Sequence, residues 1–95
     1  MLMAHKQVWS VYLIKTACGK IYTGISTDIE RRFQEHQSGG RLAAKFLRGK
    51  GPLSLVYSAK IGDRSQASRL EYRIKQLPAV EKAKIISGEL LITEL

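Results

Sequence analysis

Two stretches rich in β-branched and aromatic residues lie on either side of a three-residue loop near the start of the chain. Residues 8–16 and 20–26 have the composition of strands, and residues 17–19 separate them. Glycine at the third loop position, Gly19, suits the left-handed conformation that ends a three-residue turn. This pattern predicts a β-hairpin with a defined register.

The register of that hairpin places Tyr12 opposite Gly24 and Ile14 opposite Tyr22. Side chains alternate between the two faces of a strand, so one face is apolar and forms the natural core side. Its members are Trp9, Val11, Leu13, Ile21 and Ile25. The other face carries Ser10, Tyr12, Tyr22, Gly24 and Ser26. We expect Gly24 to leave an open notch above the Tyr12 ring.

Capping patterns predict the helices that follow. Thr27 with Glu30 forms a capping box that opens a helix over residues 28–37, which ends before two consecutive glycines. Ile29, Phe33 and His36 lie on one side of this helix, with Arg32 beside them. We expect a short second helix over residues 42–47 and an alternating third strand over residues 52–61.

A second capping pattern, Asp63 with Gln66, opens a helix that runs to about Leu77, and Pro78 ends it or starts another that runs to about Ser87. The apolar stripe of the first of these helices is Ala67, Leu70, Ile74 and Leu77. Residues 89–95 are apolar but too short for an assignment. The order of elements predicts one α+β domain, residues 1–95, with a small three-stranded, mainly antiparallel sheet flanked by helices.

Composition excludes several classes of protein. The chain is 44% hydrophobic and 25% charged, as is typical of globular proteins. No apolar run approaches the roughly 20 residues that span a bilayer. Residues 1–7 are too short and too polar for a secretory signal, which predicts a cytoplasmic protein. Because Cys18 is the only cysteine, a disulfide framework and a cysteine-based zinc site are excluded.

The net charge of +8 is concentrated in one part of the chain. Residues 31–75 hold eleven basic side chains and three acidic ones, so the remaining residues sum to zero. This concentration favours a polyanionic partner with salt-dependent affinity, and a merely solubilising surface is the alternative. An acidic membrane surface is disfavoured, since no amphipathic basic helix with exposed aromatic residues is present.

Glu71 interrupts the apolar stripe of its helix, four residues after Ala67 and three before Ile74. A carboxylate among apolar neighbours needs a compensating partner. A magnesium ion held by one carboxylate, waters and a substrate phosphate would supply it. An ion pair with a nearby basic residue is the ordinary alternative, with three candidates: Arg32, Arg64 and Lys75.

The order and spacing of five side chains are more informative than any one of them: Tyr12, Tyr22, Arg32, His36 and Glu71. Together they resemble the GIY-YIG nuclease superfamily over nearly the whole chain. Residues 10–12 match its first motif, and residues 22–24, which include Gly24, match its second. The length and the basic stretch are most similar to a small, stand-alone branch of the superfamily.

The sequence departs from the family pattern at three points. Ser10 replaces the glycine of the first motif, and Thr23 replaces the apolar middle residue of the second. Many active members have an asparagine downstream of the glutamate, and this chain contains no asparagine. Both tyrosines and the glycine of the second motif are present.

The resemblance implies a metal-dependent endonuclease that hydrolyses phosphodiester bonds in DNA, which we favour over RNA. A tyrosine would deprotonate or position the water, Arg32 would hold phosphate oxygens, and Glu71 would bind one Mg²⁺ or Mn²⁺ ion. His36 would relay a proton or contact phosphate. No membrane partner or small-molecule cofactor is implied, and the oligomeric state is open. The basic residues that would follow the nucleic-acid backbone are Arg41, Lys45, Arg48 and Lys50.

Two alternative functions are compatible with the same composition. One is a DNA- or RNA-binding module that keeps the fold and the basic surface but does not catalyse. The other is a basic ribosome-associated protein, which leaves the spacing of the five residues unexplained.

Overall fold

The computed structural model describes residues 7–95, so residues 1–6, on which the prediction about a secretory signal mostly depends, lie outside it. The fold is α+β, with a three-stranded antiparallel sheet and three helices, as predicted. The elements are β1 (Trp9–Lys15), β2 (Ile21–Ser26), α1 (Ile29–Ser38), β3 (Ser54–Gly62), α2 (Arg64–Gln76) and α3 (Ala79–Ser87). Two short 3₁₀ turns cover Lys45–Leu47 and Ile92–Glu94.

The sheet has the strand order β2-β1-β3, so β1 lies in its centre. The predicted hairpin register is confirmed, because Tyr12 pairs with Gly24 and Ile14 with Tyr22. Gly19 has a φ of 90°, the left-handed conformation expected of the last loop residue. The two tyrosines therefore lie on the same side of the hairpin.

The third strand departs from the predicted alternation. Leu13 pairs with Tyr57 but Ile14 pairs with Leu55, so Val56 is the extra residue of a β-bulge. On the N-terminal side of the bulge, the side chains point to the opposite face of the sheet from the one predicted. Val56 therefore packs against the core, whereas Leu55 is 41% exposed. The prediction that Leu55 shares a face with Tyr57 is wrong for this reason.

Both faces of the sheet are covered. On the predicted core side, Val11 and Leu13 pack against Ile74 of α2 and Ile85 of α3. The last residues of the chain, left unassigned from sequence, contribute Leu90, Ile92 and Leu95 to this layer.

The tyrosine face is covered as well. Tyr12 and Ile14 pack there with Leu47 and Leu53, and Ile29 and Phe33 of α1 complete the cluster. The tyrosine side chains thus lie between the sheet and a layer built from α1 and the segment that follows it.

Of the two capping boxes predicted at helix N-termini, one is wrong and the other is confirmed. The N-cap of α1 is Asp28, whose Oδ1 accepts the Arg31 N–H at 3.1 Å, so the predicted capping box at Thr27 is wrong by one residue. The predicted capping box of α2 is present in both directions: the N–H of Gln66 donates to Asp63 at 2.8 Å, and the Gln66 side chain accepts the Asp63 N–H at 2.9 Å.

The helix predicted over residues 42–47 is replaced by a single 3₁₀ turn, Lys45–Leu47. Ala44, which precedes the turn, has an extended backbone, and its N–H donates to the side chain of His36 rather than to a helical carbonyl. A long-range hydrogen bond therefore replaces the local one that a helix would need. Within residues 7–95, no helix is both long and apolar enough to cross a membrane.

Candidate active site

Three aromatic rings from three different elements meet on the tyrosine face of the sheet. The centroid of the Tyr12 ring (β1) lies 6.4 Å from that of Tyr22 (β2) and 6.0 Å from that of His36 (α1). The centroids of Tyr22 and His36 are 5.4 Å apart, edge to face. The hairpin register and the helix that follows it therefore bring three of the five predicted site residues into contact.

The position of the Tyr12 ring depends on the glycine opposite it. A Cβ built on Gly24 would lie 2.5 Å from both Cζ and Oη of Tyr12, closer than such atoms approach in real proteins. The backbone of Gly24 needs no left-handed conformation, so the requirement for glycine here comes from the ring alone. The predicted notch is thus present, and the Tyr12 ring fills it.

The imidazole of His36 connects Tyr12 to the segment after α1. Its Nε2 lies 2.9 Å from the Tyr12 hydroxyl, and its Nδ1 accepts the Ala44 N–H at 3.2 Å. Because a backbone N–H can only donate, Nδ1 carries no proton and a neutral imidazole must carry it on Nε2. His36 therefore donates a hydrogen bond to the oxygen of Tyr12, and the phenol's own proton is directed elsewhere.

Burial keeps His36 neutral. The residue is 1% exposed, and burial together with the nearby charge of Arg32 lowers its pKa from the ordinary 6.5 to about 4. The imidazole is accordingly uncharged at neutral pH, which is the state that its two hydrogen bonds require.

Arg32 lies at the rim of the ring cluster, where it is partly exposed. Its Nη1 donates to Oε1 of Glu35 at 2.9 Å and to the backbone oxygen of Leu42 at 2.6 Å. These two contacts hold the guanidinium in place and fix the start of the segment that covers the tyrosine face. A held guanidinium can bind two phosphate oxygens in one plane.

The pKa of Tyr12 is shifted by burial and by the charges around the side chain. Burial raises this pKa above its ordinary value, and Tyr22 and the carboxylate of Glu71 raise it further, while the charge of Arg32 lowers it. Tyr12 is therefore a neutral phenol at neutral pH. Glu71, on α2, is therefore an acidic group whose charge opposes ionisation of the tyrosine.

Glu71 sits at the edge of the α2 stripe as predicted, with its side chain 22% exposed. Of the three basic residues considered from sequence, Lys75 is its partner, with Nζ 3.4 Å from Oε2. Residues 7–95 contain no group of three or more His, Cys, Asp or Glu side chains that could hold a metal ion. A single carboxylate fits Mg²⁺ or Mn²⁺, which keep several waters and take up substrate phosphate, and does not fit a closed zinc site.

The predicted nucleic-acid-binding residues lie on the segment between α1 and β3. Arg41, Lys45 and Arg48 are exposed, and Arg48 donates from Nη2 to the backbone oxygen of Arg41 at 2.9 Å. Nζ of Lys50 lies 4.0 Å from the centroid of the Phe46 ring, within the range of a cation–π contact.

Sequence reasoning missed two residues of this segment. The Phe46 ring stacks on Tyr22, with centroids 6.1 Å apart and planes inclined by 25°. Ala44 sets the tautomer of His36 through its backbone N–H. An aromatic residue inside a basic stretch was a visible signal for Phe46, whereas nothing in the sequence distinguishes Ala44.

Comparisons with known proteins place the chain among related sequences. Residues 8–82 match the family model described as the GIY-YIG catalytic domain. The chain is 54% identical over 87 residues to the UPF0213 protein YhbQ of Escherichia coli O1:K1 / APEC, covering 92% of this chain and 85% of that protein. It is 58% identical over 79 residues to YhbQ of Escherichia coli K12, covering 83% and 77%.

A solved structure is similar as well. The solution NMR structure of the UPF0213 protein BH0048 from Bacillus halodurans superimposes with a TM-score of 0.54 at 36% identity, covering 84% of this chain and 83% of that one.

Proposed function

The chain belongs to the GIY-YIG family, and on that premise we propose that it is a metal-dependent endonuclease that hydrolyses phosphodiester bonds in DNA. The family is of endonuclease type, and a nucleic-acid substrate follows from it. The observation that carries the proposal is the hydrogen bond from His36 to the Tyr12 oxygen. It stabilises the deprotonated phenol, the form that can accept a proton from water.

The proposed reaction is the attack of a water oxygen on phosphorus in line with the leaving oxygen of the strand. The phenolate of Tyr12 takes one proton from this water as the new P–O bond forms. The bond to the leaving oxygen breaks, and this oxygen keeps the electron pair and takes a proton from solvent, to which Tyr12 afterwards returns its own. Tyr22, the more exposed tyrosine, positions the water or the phosphate next to Tyr12. The sequence left the choice between the two tyrosines open, and we choose Tyr12 because it has the hydrogen-bond donor.

His36 acts in this scheme as a donor rather than as a base. To accept the Tyr12 proton on Nε2, a neutral imidazole would first have to carry its own proton on Nδ1, which faces the N–H of Ala44 at 3.2 Å. Proton relay through His36, one of the roles implied by the resemblance, is disfavoured by this contact. Positive charge and donors around the oxygen are what a phenolate at neutral pH requires.

Arg32 and Glu71 supply the remaining parts. Arg32 binds the non-bridging oxygens of the phosphate from the rim of the cluster, with the part of its guanidinium that Glu35 and Leu42 leave available. Glu71 would hold the divalent ion, which, when bound, supplies positive charge that lowers the pKa of Tyr12 and stabilises the leaving oxygen. Without a cation, Glu71 acts on Tyr12 in the opposite direction.

Four basic side chains between α1 and β3, of which three are exposed and Lys50 is half-buried, would follow the backbone of the substrate beyond the cleaved bond. They are Arg41, Lys45, Arg48 and Lys50. We favour DNA over RNA and a single domain that works in the cytoplasm, and these remain predictions from the sequence.

Incubation of the protein with supercoiled plasmid, with and without Mg²⁺ or Mn²⁺, tests the proposal. We expect metal-dependent nicking that disappears in Glu71→Ala. The matched control is Glu81→Ala on α3, which also removes a glutamate paired with a lysine and should nick normally. Nicking that persists in Glu71→Ala would contradict the assigned role of that carboxylate.

The alternative function is a nucleic-acid-binding module without turnover. The raised pKa of Tyr12 and the absence of any asparagine favour it. Plasmid binding that persists without nicking under either metal would support this alternative and exclude the endonuclease.

A further inference from the structure

A surface cavity of about 240 Å³ opens beside Tyr22, at the edge of the ring cluster. It lies where β2 meets the 3₁₀ turn, α2 and α3. Its lining residues are Ile21, Tyr22, Thr23, Phe46, Lys75 and Lys82. Four of them, Ile21, Phe46, Lys75 and Lys82, belong to neither the family motifs nor the basic residues assigned above. We call this cavity the side pocket.

One wall of the side pocket is aromatic. Phe46 is 39% exposed although it is a large apolar side chain, and it is already stacked on Tyr22. Nucleobases bind to such exposed aromatic side chains because every base presents a π-face, whatever its sequence. The stack with Tyr22 holds the ring in place before binding, and the Lys50 ammonium, 4.0 Å from the ring centroid, would be displaced by a base that stacks there.

Other walls are cationic. Lys75 comes from α2 and Lys82 from α3, so two separate helices place ammonium groups at the same cavity. Within residues 7–95, Lys82 forms no ion pair, and Lys75 pairs with Glu71 alone. Two cations beside an aromatic wall complement the base and the phosphate of one nucleotide.

A third feature is an unpartnered hydroxyl. Thr23 lies in the wall of the side pocket and is 3% exposed. Its Oγ1 is the one buried side-chain oxygen or nitrogen in residues 7–95 that has no hydrogen-bond partner. Such groups are rare in folded proteins, and because this oxygen is itself buried, a small movement of the pocket wall on binding would have to bring it to the polar edge of a base.

We propose that the side pocket binds one unpaired nucleotide next to the cleaved phosphate, with its base against Phe46 and its phosphate on Lys82. This inference rests on the proposed function, because Tyr22 belongs both to the ring cluster and to the pocket. The cavity is smaller than the roughly 300–1,000 Å³ of sites for drug-sized ligands, which suits a single base. A base that is paired and stacked within a duplex cannot enter it, so the nucleotide must be unpaired.

The test is a binding experiment without divalent ions, so that no cleavage occurs. Single-stranded oligonucleotides carry one abasic position that is moved along the strand, and fluorescence anisotropy gives the Kd of each. We expect one position at which loss of the base weakens binding about tenfold. Phe46→Leu should weaken binding of the intact strand to a similar extent and remove the sensitivity to that abasic position.

The variants and controls separate the loss of base stacking from a general loss of electrostatic binding. Lys82→Gln should weaken binding at every abasic position, whereas Lys84→Gln, on the same helix and outside the pocket, should leave the Kd unchanged. Thermal unfolding shows whether Phe46→Leu is folded, and the effect of Lys82→Gln provides a second test if it is not. The strand is a homopolymer no longer than the binding site, so that sequence context is constant and each abasic position has one register relative to the pocket.

Three outcomes would overturn the side pocket: no sensitive abasic position, additive effects of Phe46→Leu and base loss, or the same sensitivity in a fully paired duplex. Nicking of plasmid by the wild-type protein, measured separately, distinguishes this failure from failure of the endonuclease proposal. A protein that nicks plasmid and shows no sensitive position is an endonuclease without this subsite.

Discussion

The hydroxyl oxygen of Tyr12 lies 2.9 Å from Nε2 of His36, and this nitrogen must be the donor because Nδ1 accepts the Ala44 N–H. The hydrogen bond joins β1 to α1 and, through Ala44, to the segment that carries the basic residues. One contact thus links the chemistry of the phenol to the conformation of the proposed nucleic-acid-binding surface.

Gly24→Ala should displace the Tyr12 ring, since the new Cβ would lie 2.5 Å from its Cζ and Oη. We expect a loss of about 1–3 kcal/mol in the free energy of unfolding, as is typical of overpacking, together with loss of nicking. Chemical denaturation measures the first effect. Gly40→Ala is the matched control, because its Cβ would come no closer than 3.7 Å to Ser38 Oγ. In a Tyr12→Leu background the cost of Gly24→Ala should shrink, and an unchanged cost would show that the ring is not the cause.

His36→Leu removes the donor to Tyr12 and should lower the nicking rate about 100-fold, as the loss of one donor to a developing oxyanion does. His36→Gln keeps an amide that can donate to Tyr12 and accept from Ala44, so it should retain more activity than the leucine variant. Initial rates on supercoiled plasmid measure both. Equal rates for the two variants would contradict a hydrogen-bonding role. Their unfolding curves show whether the difference is merely structural.

The protein should lose stability in acid because of His36. Its pKa is about 4 in the folded state and near 6.5 in the unfolded state, so the unfolded chain binds the proton first as the pH falls. This contribution is fully present above pH 6.5 and is lost down to about pH 4, with a total on the order of 3 kcal/mol. Denaturation at a series of pH values measures it. His36→Gln should show a weaker dependence over this window, and a direct NMR titration of His36 with a pKa near 6.5 would contradict the burial argument.

Neutralising Glu71 should lower the pKa of Tyr12, because the carboxylate raises it in the wild-type protein. We expect Tyr12 to titrate well above its ordinary value in the wild type and at a lower pH in Glu71→Gln. NMR of ¹³C-labelled tyrosine rings resolves Tyr12 from the other three tyrosines. Glu81→Gln, whose carboxylate pairs with Lys84, should leave the titration unchanged. An identical Tyr12 titration in Glu71→Gln would mean that the carboxylate is too distant to act at the site.

Removing two basic residues from the segment between α1 and β3 should flatten the salt dependence of DNA binding. Lys45→Ala with Arg48→Ala should reduce the slope of log K against log salt by about 1–2, since each lost phosphate contact removes about 0.9. Mobility shifts over a salt series measure it. Lys20→Ala with Lys84→Ala removes the same charge elsewhere and should leave the slope unchanged. Because Arg48 also bonds to the backbone of Arg41, the single variant Lys45→Ala isolates the electrostatic part.

Local features of the fold could be predicted from the sequence, whereas features that depend on long-range packing could not. The register of the hairpin was predictable because the two-residue period and the loop glycine are local, and it alone placed Tyr12 opposite Gly24. The capping box at Asp63 was predictable for the same reason. The β-bulge at Val56 was not, since a bulge depends on how the partner strand is packed and leaves the apolar pattern of its own strand intact.

The residues of the site illustrate the same limit. All five candidates were identified by their order and spacing, and three of them have rings in mutual contact. The role of Ala44 could not be predicted from the sequence, because Ala44 acts through a backbone N–H that any residue other than proline would provide. The partner of Glu71 was one of three possibilities until the helix geometry selected Lys75, one turn further on.

By itself, the sequence determined the hairpin, its register, the glycine opposite Tyr12 and the basic character of residues 31–75, because each follows from periodicity, turn chemistry or charge within a short stretch. Only the tertiary structure decided which nitrogen of His36 carries the proton, that both faces of β1 are buried, and that Phe46 meets two lysines from separate helices. These features arise where segments distant in the chain pack together, and burial and hydrogen-bond geometry exist only once they do.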